Sequence, residues 1–174
     1  VDLARSRADT ALVAARAAGI ELVPWNDPRF PALLNCIPDP PPLLWVRGDV
    51  DTLARPTVAI VGSRAATPYA LDVAYRLGQE LSDRGMVVAS GLARGVDSAA
   101  HRGCLAGVAP TVAVLGSGLD RIYPSEHQTL AREISDKGLL VSELGPGAMP
   151  LPEHFPLRNR IISGISLAVV VVEA

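Results

Sequence analysis

The chain has 174 residues, of which 49 % are hydrophobic and 20 % are charged, and its formal net charge at pH 7 is −2. This length and apolar content predict one globular domain with a substantial core and a small appendage. The slightly acidic charge balance excludes a surface that binds polyanions as a whole, so any nucleic-acid site must be a local basic patch.

The cysteines and the apolar runs favour a cytoplasmic protein. Cys36 and Cys104 match no metal spacing and are too few for a disulfide framework, so we expect both to be buried free thiols. The first residues lack a signal-peptide pattern. The longest apolar run, near Leu167–Val172, is far too short to span a bilayer, so we expect no membrane span.

The first fifty residues combine a helix with irregular segments. Apolar positions at helical spacing predict a helix over Leu3–Ala18, ended by Gly19. Short strands are predicted at Ile20–Val23 and at Leu43–Asp49, and a short helix is predicted after Pro31.

From Thr57 onward, short apolar strands alternate with helical segments. This alternation predicts an α/β fold with a doubly wound, mostly parallel, Rossmann-like sheet. The predicted strands are Val58–Val61, Met86–Ala89, Val112–Leu115, Leu139–Val141 and Leu167–Val172. Because the last of them is fully apolar, we expect it to be a central strand, and we expect the natural protein to continue beyond it.

Two of the predicted helices have recognisable starts. Thr67 is a favourable N-cap, and Pro68 suits the first helical position that follows it. Further along, Ser125 and Gln128 have the spacing of a capping box.

Four of the predicted strands end in short, polar, glycine-rich turns. In an open parallel sheet these ends meet at one edge, where backbone N–H groups and helix N-termini favour anions. The turns are Gly62-Ser63-Arg64, Ser90–Gly95, Gly116-Ser117-Gly118 and Ser142–Gly147. Together they predict an anion site, to which Arg64 adds a cation.

The common cofactor fingerprints are missing from these turns. Ser63-Arg64 follows Gly62 where a G-x-G-x-x-G spacing would be needed, and Ser90 stands where a ribose-binding acid is expected. The sequence contains no P-loop and no zinc spacing. We therefore expect neither a cofactor nor a metal.

Catalytic groups are scarce in the sequence, since no serine or cysteine stands beside an obvious base. Asp97 is interpreted as a charge that favours a helix N-terminus, and His101 as a buried, hydrogen-bonded histidine. His127 and His154 are predicted on exposed turns. The sequence thus predicts no catalytic residue.

A basic segment stands immediately before the last predicted strand. Phe155 precedes the run Arg158-Asn159-Arg160. A solvated surface turn is one interpretation, and a phosphate clamp with an aromatic face for a base is the other. With Arg64 and Arg94, the clamp would complete a basic pocket of loops that suits single-stranded nucleic acid better than duplex.

Taken together, these segments resemble the DNA-processing protein A family, also called DprA or Smf, over roughly residues 20–174. The matching segments are Asp27–Pro31, Pro40–Gly48, Val58–Arg64, Ser90–His101, Val114–Asp120, Tyr123-Pro124, Ser142-Glu143 and Phe155–Gly164. The chain departs from the family pattern at His127, where asparagine is frequent, and at Glu143–Pro146.

The resemblance implies a cytoplasmic protein that binds single-stranded DNA without catalysis. It implies that the protein loads the RecA recombinase onto incoming strands and displaces single-strand-binding protein during natural transformation and recombination. A homodimer is implied for the full-length protein. Residues 20–174 would form an incomplete DNA-binding domain, and residues 1–19 would be the tail of an N-terminal helical domain of the sterile-alpha-motif type.

The motif match and the anion-site argument define one predicted DNA site. It consists of Gly62, Ser63, Arg64, Ser90, Gly91, Arg94, Gly95, Gly116, Phe155, Arg158, Asn159 and Arg160. Two alternatives stay open. One is a nucleotide hydrolase similar to the phosphoribohydrolases, with Glu143 as its catalytic residue, although Gly145-Pro146-Gly147 matches their glycine-rich loop poorly. The other is a structural or regulatory nucleotide sensor.

Overall fold

The computed structural model describes residues 2–174, with the side chains of residues 2–5 and 7 excepted. The helices in this range are α1 (Asp2–Ala17), α2 (Pro68–Asp83), α3 (Val96–Ala106), α4 (Gln128–Lys137) and α5 (His154–Gly164). The strands are β1 (Glu21–Pro24), β2 (Leu43–Gly48), β3 (Thr57–Gly62), β4 (Val87–Ser90), β5 (Thr111–Val114), β6 (Leu139–Ser142) and β7 (Ala168–Val172). Short 3₁₀ turns span Leu34–Cys36, Val50–Ala54 and Ser125–His127.

The described strands form one sheet in the order β1-β2-β6-β5-β4-β3-β7. The five strands from β6 to β7 in this order are mutually parallel, whereas β1 and β2 pair antiparallel. The chain steps outward from β3 through β4 and β5 to β6, and α5 then carries it back to β7 on the other side of β3. This reversal beside β3 is the switch point of a doubly wound sheet, which confirms the predicted Rossmann-like fold.

Helices cover both faces of the sheet. On one face, Ile60 packs with Ala74 of α2 and Ala100 of α3 in a buried cluster. On the other face, Ala59 belongs to a cluster that includes Ile161 of α5. Successive side chains of β3 therefore enter opposite layers of the core, as the alternation of a strand requires.

The predicted start of α2 is confirmed. The hydroxyl oxygen of Thr67 accepts a hydrogen bond from the backbone N–H of Ala70 at 3.2 Å, and Pro68 opens the helix. The predicted capping box is wrong, because Ser125 begins a 3₁₀ turn and α4 starts only at Gln128, without a side-chain cap. A separate short turn thus replaces the first turn predicted for α4.

Strand β7 is the outer strand of the described sheet, and it pairs with β3 alone. Its apolar side chains Val169 and Val171 are 47 % and 60 % exposed. Within residues 2–174 β7 is therefore an edge strand. The expected central position concerns a longer natural protein and stays a prediction. The crossover through α5 places β7 beyond β3, where no described strand follows it.

Two further predictions are corrected. Cys36 is exposed, because it ends a surface 3₁₀ turn, whereas Cys104 is a buried thiol as expected. The segment that contains Phe155 and Arg158 belongs to α5 and is neither a turn nor a loop. None of the helices in residues 2–174 has both the length and the apolar character needed to cross a membrane.

Candidate nucleic-acid interface

Two adjoining cavities lie where the carboxyl ends of β3 and β4 meet α5. The larger, the edge cavity, measures about 430 Å³ and is lined by residues that include Gly62, Asp97 and Asn159. The smaller, the aromatic cavity, measures about 70 Å³ and is lined by residues that include Tyr123 and Phe155. Arg64, Ala93 and Arg158 line both cavities, so the two share a wall. Ligands bind at this edge in open α/β sheets.

Arg64 is the exposed cation of this shared wall. Its guanidinium carbon lies 5.6 Å from the centroid of the Phe155 ring, a cation–π distance. The turn that carries it is fixed by its main chain, since the Ser63 N–H donates to the Glu173 carbonyl oxygen at 2.7 Å. Arg64 forms no ion pair with the described carboxylates, so its N–H groups can bind an anion.

Arg158 has a different environment, because it is only 4 % exposed. Its Nη1 donates to the carbonyl oxygen of Gly91 at 2.7 Å and also to that of Val114. Gly91 and Val114 directly follow Ser90 and Ala113, respectively, which form the last residue pair between β4 and β5. The guanidinium therefore joins the two strand ends where their own ladder stops.

A buried carboxylate completes this arrangement. Asp97 accepts hydrogen bonds from the backbone N–H of Gly91 at 3.0 Å and from that of Ala93 at 3.3 Å. The peptide groups of Gly91 thus link the Asp97 carboxylate to the Arg158 guanidinium. A Cβ at position 91 would overlap the guanidinium of Arg158, so the glycine allows that side chain its present position.

The electrostatics follow from this burial. Loss of hydration lowers the pKa of Arg158 to about 10, an effect that Asp97 opposes and Arg64 reinforces. Burial raises the pKa of Asp97, against the opposing effects of Arg158 and the two backbone N–H groups. Arg158 remains charged at neutral pH, and its hydrogen bonds to carbonyl groups and the nearby carboxylate offset the cost of burying that charge.

The two remaining arginines of the site are paired with carboxylates. Arg94 forms a two-point ion pair with Glu126, with N–O distances of 2.5 and 3.0 Å. Arg160 contacts Glu143 at 2.6 Å and Asp39 at 3.2 Å. A phosphate that approached either arginine would therefore compete with a carboxylate already in place.

The aromatic cavity combines two rings. The centroids of Tyr123 and Phe155 are 5.5 Å apart, and the ring planes are tilted by 41°. Tyr123 is 47 % exposed. A Cβ at Gly116 would come within 3.0 Å of the Phe155 ring, so the glycine allows the ring its position.

Of the residues predicted for the DNA site, eight line the two cavities: Gly62, Arg64, Gly91, Arg94, Phe155, Arg158, Asn159 and Arg160. The other four, Ser63, Ser90, Gly95 and Gly116, line neither and instead support the walls. Ser90, for example, is buried, and its hydroxyl group donates to the Ile60 carbonyl oxygen at 2.6 Å. The site predicted from the sequence does not include Tyr123 and Ala93, which also line these cavities. The sequence analysis names Tyr123-Pro124 only as a segment that resembles the family.

Two of the three histidines, His101 and His127, are buried and hydrogen-bonded within the fold. The Nδ1 of His101 donates to the Thr111 hydroxyl oxygen at 2.7 Å, and that hydroxyl group donates in turn to the Val88 carbonyl oxygen. Burial lowers the pKa of His101 to about 3, so the ring is neutral. The prediction that His127 is exposed is wrong, since it is 6 % exposed and its Nδ1 donates to the Leu92 carbonyl oxygen. Residues 2–174 contain no metal-binding group of three or more His, Cys, Asp or Glu.

Comparisons with known proteins place this geometry in a family. A family model described as DNA recombination-mediator protein A matches residues 21–174. Protein Smf of Synechocystis sp. is 43 % identical over 153 residues, which cover 86 % of this chain and 38 % of that protein.

Two solved structures are similar to the fold described above. The X-ray structure of DNA processing protein A from Streptococcus pneumoniae has a TM-score of 0.85 and 41 % identity, covering 89 % of this chain and 54 % of that one. DNA processing protein A from Helicobacter pylori, in a structure that addresses its single-stranded DNA binding mode, has a TM-score of 0.78 and 33 % identity, covering 87 % and 68 %.

The chain thus spans 38 % of the Synechocystis protein and 54 % of the pneumococcal chain. The family match begins at residue 21, at the start of β1, and includes every strand described here. By sequence and by fold, this chain belongs to the DNA recombination-mediator protein A family.

Proposed function

We propose that this chain binds single-stranded DNA at the edge and aromatic cavities. Arg64 would hold a backbone phosphate, and Phe155 and Tyr123 would stack an adjacent base. The observation that carries this proposal is the exposed Arg64 guanidinium 5.6 Å from the Phe155 ring centroid, with no described carboxylate paired to it. A nucleotide offers a phosphate and a flat base to such a cation and ring.

The form of the site favours a single strand. Duplex DNA keeps its bases stacked inside the helix, whereas an unpaired base can enter a small cavity and stack on an exposed ring. The aromatic cavity is small, at about 70 Å³, and Tyr123 presents half of its surface to solvent. The single-stranded DNA binding mode of the Helicobacter pylori relative supports the same choice.

At the level of the cell, we propose a mediator of recombination in natural transformation. In this role the protein loads RecA onto incoming strands and displaces single-strand-binding protein in the cytoplasm, and the full-length protein forms a homodimer. The family to which the chain belongs supports the recombination role. We expect the interactions with RecA and single-strand-binding protein, and the homodimer, because the chain belongs to this family.

We propose residues 20–174 as the DNA-binding unit and residues 1–19 as the end of a helical domain that precedes it. The family match from residue 21 supports this boundary. Helix α1 nevertheless packs on the sheet, since Ala15 shares a buried cluster with Trp45 of β2 and Ile134 of α4. The proposed boundary is thus supported by the family match, whereas the packing joins α1 to the rest of the fold.

We propose binding without turnover. The hydrolase alternative would need Glu143 as a free catalytic carboxylate, but Glu143 is held by Arg160 at 2.6 Å. Incubation with nucleoside monophosphates tests this proposal, and we expect no release of base. Release that disappears in Glu143→Ala would establish the hydrolase instead.

The DNA site is tested by replacing Arg64 with alanine. Removal of a charge-assisted hydrogen bond to phosphate should weaken binding of an oligothymidylate by about tenfold or more. The plot of log affinity against log salt should become shallower by about 0.7, because one phosphate fewer is neutralised. Fluorescence anisotropy across a salt series measures both quantities.

Arg102→Ala is the matched control, because Arg102 is an exposed arginine on α3 that lines neither cavity. It should leave both affinity and salt slope close to the original values. Wild-type affinity in a folded Arg64→Ala protein would overturn the proposed site.

A further inference from the structure

A third polar cavity, of about 390 Å³, lies between β2 and α4, outside the site described above. Its polar lining includes Arg47 of β2 and Gln128, Arg132 and Ser135 of α4. We refer to the cavity with these four residues as the α4 groove. Two arginines and two uncharged hydrogen-bonding groups are a lining suited to an anion.

Arg47 is partly buried in this groove without a direct partner. It lies opposite Leu140 of β6 in the antiparallel ladder. Loss of hydration lowers its pKa, and the charges of Asp120 and Asp136 oppose that effect from a distance. No ion pair or hydrogen bond joins its guanidinium to the residues described here, so its donors are free for a ligand.

The one carboxylate that lines the groove is engaged elsewhere. Asp120 accepts from the Gly147 N–H at 2.8 Å and lies 3.7 Å from the Nε of Arg121. Arg132 is exposed and, like Arg47, has no ion pair within the described part of the chain. The groove thus holds two guanidinium groups without a direct ion pair to a described carboxylate.

The groove and the aromatic cavity are lined by residues that are neighbours in the chain. Ile122 lines the groove and Tyr123 lines the aromatic cavity, and these neighbouring residues are separated by a single peptide unit of about 3.8 Å. From Gln128 to Ser135 the groove follows α4 for about two turns. A strand that leaves the aromatic cavity past Tyr123 would therefore pass close to the groove at Ile122.

We propose that the α4 groove binds backbone phosphates of the same single strand, beyond the nucleotide held at Arg64. Arg47 and Arg132 contact phosphodiester oxygens, and Gln128 and Ser135 add uncharged hydrogen bonds. This inference rests on the proposed function of the first site. According to this inference, the bound DNA strand leaves the aromatic cavity and continues along α4.

The test compares a short and a long strand on one protein. We use oligothymidylates of about five and about twenty nucleotides, since only the longer one can occupy both sites. The double variant Arg47→Gln/Arg132→Gln should weaken binding of the long strand by about tenfold and leave the short strand unchanged. The salt slope for the long strand should fall by about 0.7 for each phosphate that the variant no longer neutralises.

Arg132→Gln alone serves as a second variant, because Arg132 is exposed and its replacement spares the core; we expect a smaller reduction of the same kind. Arg102→Gln is the charge control, and a thermal unfolding midpoint confirms that each variant is folded. Equal affinities of wild type and double variant for the long strand would overturn the inference, as would equal reductions for both lengths. Failure of the first site would appear separately, as short-strand binding that is indifferent to Arg64→Ala.

Discussion

Arg158 and Arg64 line the same two cavities, yet Arg158 is only 4 % exposed and Arg64 lies at the surface. The buried floor, formed by Arg158 and Asp97, is hydrogen-bonded mainly to backbone groups of β5 and of the turn after β4. The rim is formed by the exposed Arg64 and Arg94 and the partly buried Arg160. Arg64 has no ion pair with a described carboxylate, whereas Arg94 and Arg160 are held by carboxylates. The floor arginine thus stabilises the fold, whereas the rim arginines face the ligand. Substitution of the floor arginine should lower the stability of the protein, and substitution of a rim arginine should change its affinity for DNA.

The sharpest test of the floor is Arg158→Met. It removes the donor for two carbonyl groups and leaves the Asp97 carboxylate buried without its cation, at a cost of about 3–5 kcal/mol in the free energy of unfolding. Urea denaturation measures this destabilisation. Arg94→Met, the same substitution at an arginine whose side chain is 58 % exposed and ion-paired with Glu126, should cost about 1 kcal/mol or less. Equal costs in the two variants would contradict the division into floor and rim.

His101 lies one helical turn after Asp97 on the buried face of α3. Its titration makes the stability of this buried region depend on pH. Burial lowers its pKa in the folded protein to about 3, whereas the unfolded chain takes up a proton near pH 6.5. The unfolded state therefore binds more protons in between, and the folded state loses stability as pH falls from 6.5 towards 3. The destabilisation attributable to His101 should approach about 1.4 kcal/mol for each pH unit.

The variant His101→Gln removes this titration. Urea denaturation at several pH values should show a flatter pH dependence for the variant than for the wild type between pH 6.5 and 3. Parallel pH profiles would mean that the folded protein accommodates a charged ring at position 101.

The smallest effect is expected at the rim, from Glu126→Gln. This change releases Arg94 from its two-point ion pair, so the arginine can contact a phosphate. Affinity for single-stranded DNA should rise about threefold, consistent with a surface ion pair of less than about 1 kcal/mol. Anisotropy titrations measure the change. Asp83→Asn, which removes an exposed negative charge from the end of α2, should leave affinity near the wild-type value.

The sheet and most of its helices could be predicted from the sequence because their signals are local. Apolar runs mark β3 to β6, and Thr67 with Pro68 marks the start of α2. Helix α5 is not predictable in this way. Pro156 lies in its first turn, where a proline in the sequence suggests a turn although the helix tolerates it. The buried face of α5 also includes Arg158, which a hydrophobic pattern scores as exposed.

The site is predictable in location but not in detail. The rule that parallel strand ends meet at one edge brings the turns at Arg64 and Arg94 together. Which arginine is buried and which is exposed depends on how α5 docks across the sheet, and no local pattern contains that information. The burial of His127 likewise depends on the Leu92 carbonyl group, 35 residues earlier in the chain.

The hydrogen bonds of Arg158 also imply an order of assembly. They join residues separated by 67 and 44 positions, whereas β3 to β6 are joined through short successive crossovers. Contacts between distant residues carry the larger loop-closure entropy and tend to form late. We expect the parallel sheet to form before α5 docks and closes the two cavities. Binding competence would then be among the last properties that the chain acquires as it folds.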